Sequence, residues 1–268
     1  MKLLNYKLNK KFCLITGAAG LLGYEHACAI LESEGNVVLT DLNEKKLIQI
    51  QKKLKTLFSK QKILYYKMDV SNINSINYVL KKLKKQKIKI KILINNATID
   101  SKIGKKNNFS NNFQFENFSL DVWNKEIEVG LTGAMLCSKV FGNEMRSGGG
   151  VILNIASDLS VIAPKQSIYT YKNVKPVTYS VIKHGLIGLT KYLATYWPTK
   201  NIRCNALSPG GVFNNQGKKF LSNLKSEIPM KRLANKNEYR SAIQFLCSDA
   251  SSYMNGQNIV MDGGRSAW

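Results

Sequence analysis

The sequence predicts an α/β fold: one domain over residues 1–268, built on a doubly wound parallel sheet with helices on both faces. Three observations lead there. An apolar strand opens onto a glycine-rich turn and then a helix over residues 12–34. Short β-rich runs then alternate with helical segments along the rest of the chain, with no linker and no internal repeat. Polar and turn-forming residues collect where each strand ends, the edge at which Rossmann-type sheets hold their ligands.

The first strand covers 12–16, and Gly17-Ala-Ala-Gly20-Leu-Leu-Gly23 follows at once, leading into an amphipathic helix over 24–34. Strand, glycine turn and helix in that order form the setting of a dinucleotide fingerprint. Gly17 allows the tight turn, Gly20 lets backbone approach a pyrophosphate, and Gly23 lets helix pack on strand. Ala19, Leu21 and Leu22 lie between them on the same turn. The helix N-terminus supplies N–H groups and a positive dipole end for the phosphates. The next strand, 36–41, ends in Asp41, eighteen residues past Gly23. A carboxylate there accepts hydrogen bonds from the adenosine ribose and repels a 2′-phosphate, so NAD is expected in preference to NADP. Lys45 and Lys46 stand close by and read as solvated helix residues.

A helix over 44–57, a strand over 63–67, a helix over 73–85 and a strand over 90–94 continue the alternation. Asp69, Val70, Asn96 and Ala97 follow the third and fourth strands and fall at the ligand edge; a plain turn or cap is the other role Asp and Asn take there. Residues 98–119 form a polar loop. A helix over 120–143 and a strand over 151–156 bring Ser157 to a strand end facing the same crevice. A second loop, 158–178, precedes a helix over 179–197. A strand over 202–207 runs into Ser208-Pro209-Gly210-Gly211-Val212, and a variable stretch reaches Pro229. A helix over 238–247, a strand over 258–261 and Asp262-Gly-Gly264 close the fold.

Tyr179 and Lys183 stand four apart, one helical turn from each other on one face. The ammonium favours phenolate and pulls the tyrosine toward the working pH. A tyrosine so tuned gives or takes a proton at a carbonyl or alcohol oxygen. Alone the pattern is a weak signal; the glycine turn in the same chain gives it weight.

Composition narrows the class. Apolar residues make up 44%, a globular content, and the longest apolar runs fall well short of the ~20 residues of a membrane span. The start, MKLLNYKLNKK, scatters lysines and lacks the apolar stretch of a signal peptide. Cys13, Cys28, Cys137, Cys204 and Cys247 are odd in number and lie in apolar segments, which reads as free buried thiols in a reducing compartment. A soluble cytoplasmic protein without a membrane partner is expected. With only His26 and His184, a His/Cys metal site is not expected. The net charge of +23 opens nucleic acid, an anionic surface or acidic small molecules as partners. The basic residues are mostly Lys, concentrated over 81–91 without interleaved aromatics, and so read as a solvated face and not a nucleic-acid interface.

Taken in order, TGAAGLLG, Asp41, Asp69-Val70, NNAT from Asn95, NIAS ending at Ser157, YSVIK at 179–183, SPGGV and the final DGG resemble the short-chain dehydrogenase/reductase family over nearly the whole chain. The stretch from Ser157 through Tyr179 and on to YLATYW resembles a branch associated with flagellin modification and with sugar building for bacterial surface polysaccharides. The resemblance implies hydride transfer between a nicotinamide and a carbonyl/alcohol carbon. Tyr179 would be the acid/base, Lys183 would lower its pKa and hold the nicotinamide ribose, and Ser157 would orient the substrate oxygen. Cofactor contacts would come from the glycine turn, Asp41, Asp69, Val70, Asn96, Ala97, Tyr179, Lys183, Pro209, Gly210 and Val212. The implied substrate is a sugar, sugar phosphate or nucleotide sugar. The alternatives are a non-sugar keto or hydroxy compound such as a 3-oxoacyl thioester, or a weakly active NAD-binding scaffold. A homodimer or homotetramer is implied, with helices 120–143 and 179–197 against a partner's copies.

Three departures from the family pattern stand out. Leu21 takes the middle glycine of the usual TGxxxGxG, and Gly130 stands where an asparagine often joins the catalytic set. Ser157 lies 22 residues before Tyr179, so loop 158–178 holds an insertion, and Ser160 and Ser167 are alternatives to Ser157. Ser157 is preferred because the sheet fixes its position. The insertion's Tyr169, Tyr171, Lys165, Lys172 and Lys175 suit a phosphorylated sugar or, equally, a subunit contact.

Overall fold

The β-rich apolar runs become strands because a sheet covered on both faces buries every residue they contain. The structure, a computed structural model, describes residues 6–99, 113–169 and 173–268. Its strands are β1 (Phe12–Thr16), β2 (Asn36–Asp41), β3 (Ile63–Lys67), β4 (Ile90–Asn95), β5 (Gly150–Ile155), β6 (Ile202–Pro209) and β7 (Asn258–Met261). All pair in parallel, in the order β3-β2-β1-β4-β5-β6-β7. The order reverses between β1 and β4, and the carboxyl ends of those two strands open the crevice where such sheets bind ligands.

Between them run α1 (Leu21–Glu32), α2 (Glu44–Leu57), α3 (Ile73–Lys85), α4 (Leu120–Ile127), α5 (Gly133–Met145), α6 (Val177–Tyr196), α7 (Lys218–Ser226) and α8 (Arg240–Cys247). The period of two in β1 divides the core: Cys13 and Ile15 face a cluster with α1, α2 and α8, while Leu14 faces one with α3, α5 and α6. Among the described residues no helix is long and apolar enough to cross a membrane. All five cysteines are buried and unpaired, and burial pushes the thiols of Cys137, Cys204 and Cys247 up to about 12. The charge excess is lysine on the surface: Lys81, Lys82, Lys84, Lys85, Lys87 and Lys89 are all exposed.

The structure departs from the sequence reading in two elements. The helix expected over 120–143 is broken by a π-helical turn at Glu128–Thr132 that joins α4 to α5. The stretch before Pro229 contains α7, whose Phe220, Leu221 and Leu224 close over Ile168, Ile228 and Leu233. Most of loop 98–119, with Tyr171 and Lys172, lies outside the described residues.

Candidate active site

The glycine turn is packed too tightly for side chains. Gly17 has φ +63°, and a Cβ there would stand 2.8 Å from the Cα of Ala97. A Cβ at Gly23 would stand 2.4 Å from the carbonyl oxygen of Gly17. The end of β4 stitches itself to this turn: the amide of Asn96 donates to the carbonyls of Thr16 and Gly17, each at 3.0 Å. Thr16 Oγ1 in turn accepts the N–H groups of Asn96 and Ala97, also at 3.0 Å. The side chain of Asn96 is thus committed to holding the turn. Asp41 lies across the turn's other side, its Oδ2 accepting from Ala19 N at 3.1 Å and its Oδ1 from Asn43 N at 2.9 Å.

Helix α1 starts at this turn with Gly20 as its N-cap, no side-chain cap bond and no acidic residue in its first turn. Its leading N–H groups therefore offer themselves to an anion. Gly20 and Leu21 are exposed at the mouth, and Ala19 and Leu22 are half-buried. A dinucleotide fits this arrangement, with its pyrophosphate at the helix start and a ribose at Asp41. Asp69 Oδ1 accepts the N–H and hydroxyl of Ser71 at 2.9 and 2.7 Å, and Val70 is buried where a Cβ on Gly133 would meet it at 2.7 Å. His26, beneath the turn, is wholly buried with neither ring nitrogen in hydrogen-bond geometry, and Asn96 is close enough to favour its charged form only weakly. Burial wins and pushes its imidazole down to about 3, so it stays neutral. No group of three His, Cys, Asp or Glu stands together among the described residues.

The second half of the site lies at the end of β5. Lys183 is 4% exposed, and its Nζ donates to the carbonyl of Ile155 at 2.8 Å. The same ammonium lies 5.6 Å from the ring centroid of Tyr179, one turn earlier on α6. Lys175 Nζ sits over that ring at 3.6 Å. Two residues past Ile155, Ser157 is buried beside the short helical turn Asp158–Ser160, against which α6 packs. Ser157, Tyr179 and Lys183 are therefore gathered at one strand end. Of the two alternative serines, Ser160 bonds Ser208 at 2.8 Å, and Ser208 donates onward to Asn258 at 2.8 Å, which ties Ser160 into the sheet edge. Ser167 is exposed. At the end of β6, Pro209 is buried, Gly210 N donates to Met261 O at 2.9 Å, and half-buried Val212 bridges to Ala234.

The insertion divides its residues between roles. The Tyr169 ring packs tilted against Phe220 of α7, centroids 5.4 Å apart, and Lys165 pairs with Glu227 at 2.9 Å. Lys175 is the described lysine of the insertion that faces Tyr179.

Gly130 has a steric cause. A Cβ there would stand 2.8 Å from Ile182 Cγ2, and a Cβ on Gly185 would stand 2.9 Å from Leu131 Cδ2. The π-helical turn and α6 thus interlock, each glycine receiving the other element's large side chain. Gly130→Ala is expected to lower stability by about 1–3 kcal/mol through overpacking. In an Ile182→Ala background the same change should be neutral or stabilising, because helical glycine itself costs roughly 1 kcal/mol against alanine. Thermal unfolding of the four proteins checks this, and an equal loss in both backgrounds would contradict it.

Two residues missed in the sequence also reach this strand end. Asp158 accepts the hydroxyl of Ser157, and Arg265, one of five arginines in the chain, pairs with Asp158 at 2.7 Å. The signals were an acid directly after a strand-end serine and an arginine directly after the final DGG.

Residues 17–266 match the sequence profile of the family described as enoyl-(acyl carrier protein) reductase. The chain is 30% identical over 266 residues to an NAD-dependent glycerol dehydrogenase of Listeria innocua, covering 97% of this chain and 95% of that protein. It is 28% identical over 260 residues to post-translational flagellin modification protein A of Campylobacter coli, covering 96% and 98%. A gluconate 5-dehydrogenase from Burkholderia cenocepacia, solved with NADP and tartrate, shares the fold with a TM-score of 0.85 at 24% identity over 98% of each chain.

Proposed function

The chain belongs to the short-chain dehydrogenase/reductase family, and from that premise we propose that it moves a hydride between NAD and a carbonyl/alcohol carbon of a sugar, sugar phosphate or nucleotide sugar, in the modification of flagellin or a surface glycan. The observation that carries the reaction is the ammonium of Lys183 held on Ile155 O, with Tyr179 one turn away and Ser157 two residues on. Tyr179 gives a proton to the substrate oxygen in reduction and takes it in oxidation. Lys183 favours the phenolate by its charge and holds a ribose. Ser157 orients the same oxygen. Bound NAD supplies or accepts the hydride at its nicotinamide. The glycine turn, the start of α1 and Asp41 hold the dinucleotide.

The sugar class draws support from the names of two relatives, a glycerol dehydrogenase and a flagellin modification protein, and from Lys175 over Tyr179 as a partner for an anionic substituent. A screen of polyols, sugars, sugar phosphates, nucleotide sugars and a 3-oxoacyl thioester, followed by NADH absorbance, tests it. Turnover confined to the thioester would overturn the sugar assignment.

NAD is the preferred cofactor in this reading. Asp41 is fixed by Ala19 N and Asn43 N, so a 2′-phosphate would meet a carboxylate that cannot swing away, while Lys45 and Lys46 are exposed. NADH is expected to bind about tenfold or more tighter than NADPH, and Asp41→Ala should narrow the gap. Fluorescence titration measures both; equal affinities for wild type would contradict the role given to Asp41.

A homodimer or homotetramer is also inferred. Met135 of α5 and Tyr192 and Tyr196 of α6 are exposed, and they line one groove with Leu80, Val140 and Leu189. Burying such a face between copies accounts for its composition. Light scattering at micromolar concentration should give a multiple of 30.1 kDa, and a monomeric mass would refute the inference. Five unpaired buried thiols support a cytoplasmic location.

A further inference from the structure

We propose that Asp158 and Arg265 are a buried pair of positioning residues that set where Ser157 sends its proton, a role that rests on the function proposed above. Ser157 has one proton to donate, and it points to Asp158 Oδ1 at 2.8 Å. Leu159 N–H is shared between Ser157 Oγ at 3.2 Å and Asp158 Oδ1 at 2.9 Å, fixing both groups. The other carboxylate oxygen accepts Arg265 Nη1 at 2.7 Å. Asp158 is 3% exposed and Arg265 8%, so this is an ion pair with little water to weaken it.

A substrate oxygen that gains charge during hydride transfer needs a donor, and Ser157 can serve only if Asp158 releases its proton. An unpaired buried carboxylate would hold that proton strongly. A guanidinium on its far oxygen draws off part of the charge and makes Asp158 a weaker competitor. Arg265 therefore sets the balance between Asp158 and the substrate for one hydrogen bond.

The fold goes to some length to deliver this group. Arg265 comes 107 residues after Asp158, from the turn that follows β7. Asp262 shapes that turn, its Oδ1 accepting Gly264 N at 2.9 Å and its Oδ2 accepting Ser266 N at 2.7 Å. A buried ion pair is poor evidence for stability alone, and this one lies directly on the candidate hydroxyl. The other titratable groups around it are Asp262, Lys183 and Tyr179 of α6, and Tyr239 before α8. The Tyr239 phenol donates to Gly210 O and is held up by burial first and the charge of Asp158 second.

The test is a double-mutant cycle on the full chain with a substrate that the wild type uses. Arg265→Met should lower kcat about tenfold or more while NADH affinity and KM stay within about threefold. In carbonyl reduction its turnover should also fall away at lower pH than in the wild type. Without its cation the buried Asp158 carboxylate competes harder for the serine's proton, and protonating that carboxylate at lower pH releases the hydroxyl to the substrate again. Arg265→Lys should restore the wild-type pH profile. In a Ser157→Ala background Arg265→Met should cost no more than about twofold further, because both changes act on one bond. Equal losses in the two backgrounds, or a lower kcat with an unshifted pH profile, would overturn the proposal. If Arg265→Met does not fold, Asp158→Asn takes its place, with a change in kcat of at least about threefold expected beside Ser157 and none beside Ala; equal effects overturn it again. Tyr179→Phe, run alongside, separates the two readings. A wild type that turns over no compound removes the proposed function and this role with it, whereas an active wild type with additive losses removes the role alone.

Discussion

Tyr179→Phe is expected to keep NAD affinity within a few-fold of wild type and to lower turnover by about 10²-fold or more, the scale that general acid–base catalysis supplies. The change removes one oxygen from a half-buried ring whose face is already covered by Lys175 at 3.6 Å, so packing and the start of α6 stay as they are. What is lost is the hydroxyl that exchanges the proton in the proposed reaction. Steady-state kinetics with a parallel NADH titration separates the two effects. Near-normal turnover would mean that this residue is not the proton donor.

Lys183→Met is expected to fail differently. The ammonium is buried and bonded to Ile155 O at 2.8 Å, and a methionine of similar length fills the space while leaving that carbonyl without its donor. The cost to folding is about 1–3 kcal/mol. NAD binding should weaken about tenfold or more, because the ammonium holds the cofactor's ribose in this reading. Turnover should fall at least as far as in Tyr179→Phe. In alcohol oxidation, which needs phenolate, the rising limb of the pH–rate profile should move to higher pH, since the phenol loses a positive neighbour. Lys175 remains over the ring, so the move should be partial. A variant with weakened NAD binding but an unmoved limb would show that Lys183 holds the cofactor without tuning Tyr179.

Local order made half of this site legible. The strand, glycine turn and helix at 12–32 follow one another in sequence, and their contacts are between near neighbours. The spacing of Tyr179 and Lys183 is a helical turn, which the chain displays directly. Asp41 was legible because a strand end is a position. What escaped was set by contacts across the sheet. The π-helical turn at Glu128–Thr132 adds one residue to a helical period without breaking its apolar pattern, and Ile182, the side chain packed against its Gly130, lies on another helix. Helix α7 carries a short apolar face in a run of Lys, Asn and Ser, and only the Ile168 cluster gives that face something to cover. The amide of Asn96 donates to Thr16 and Gly17, a bracing of the glycine turn that residue type alone does not display. Asp158 and Arg265 meet only because β5, β6 and β7 lie side by side.

Direct hydride transfer is tested by label. The wild type would be incubated with NAD and a panel of polyols and sugars carrying deuterium on their carbinol carbons, and the reduced cofactor examined by mass spectrometry. The expected result is deuterium in NADH from at least one polyhydroxylated substrate, with label arriving about 10²-fold more slowly in Tyr179→Phe. Absence of label from every compound in the wild type, or equal labelling by Tyr179→Phe, would contradict the assignment of the Ser157, Tyr179 and Lys183 cluster as a hydride-transfer site.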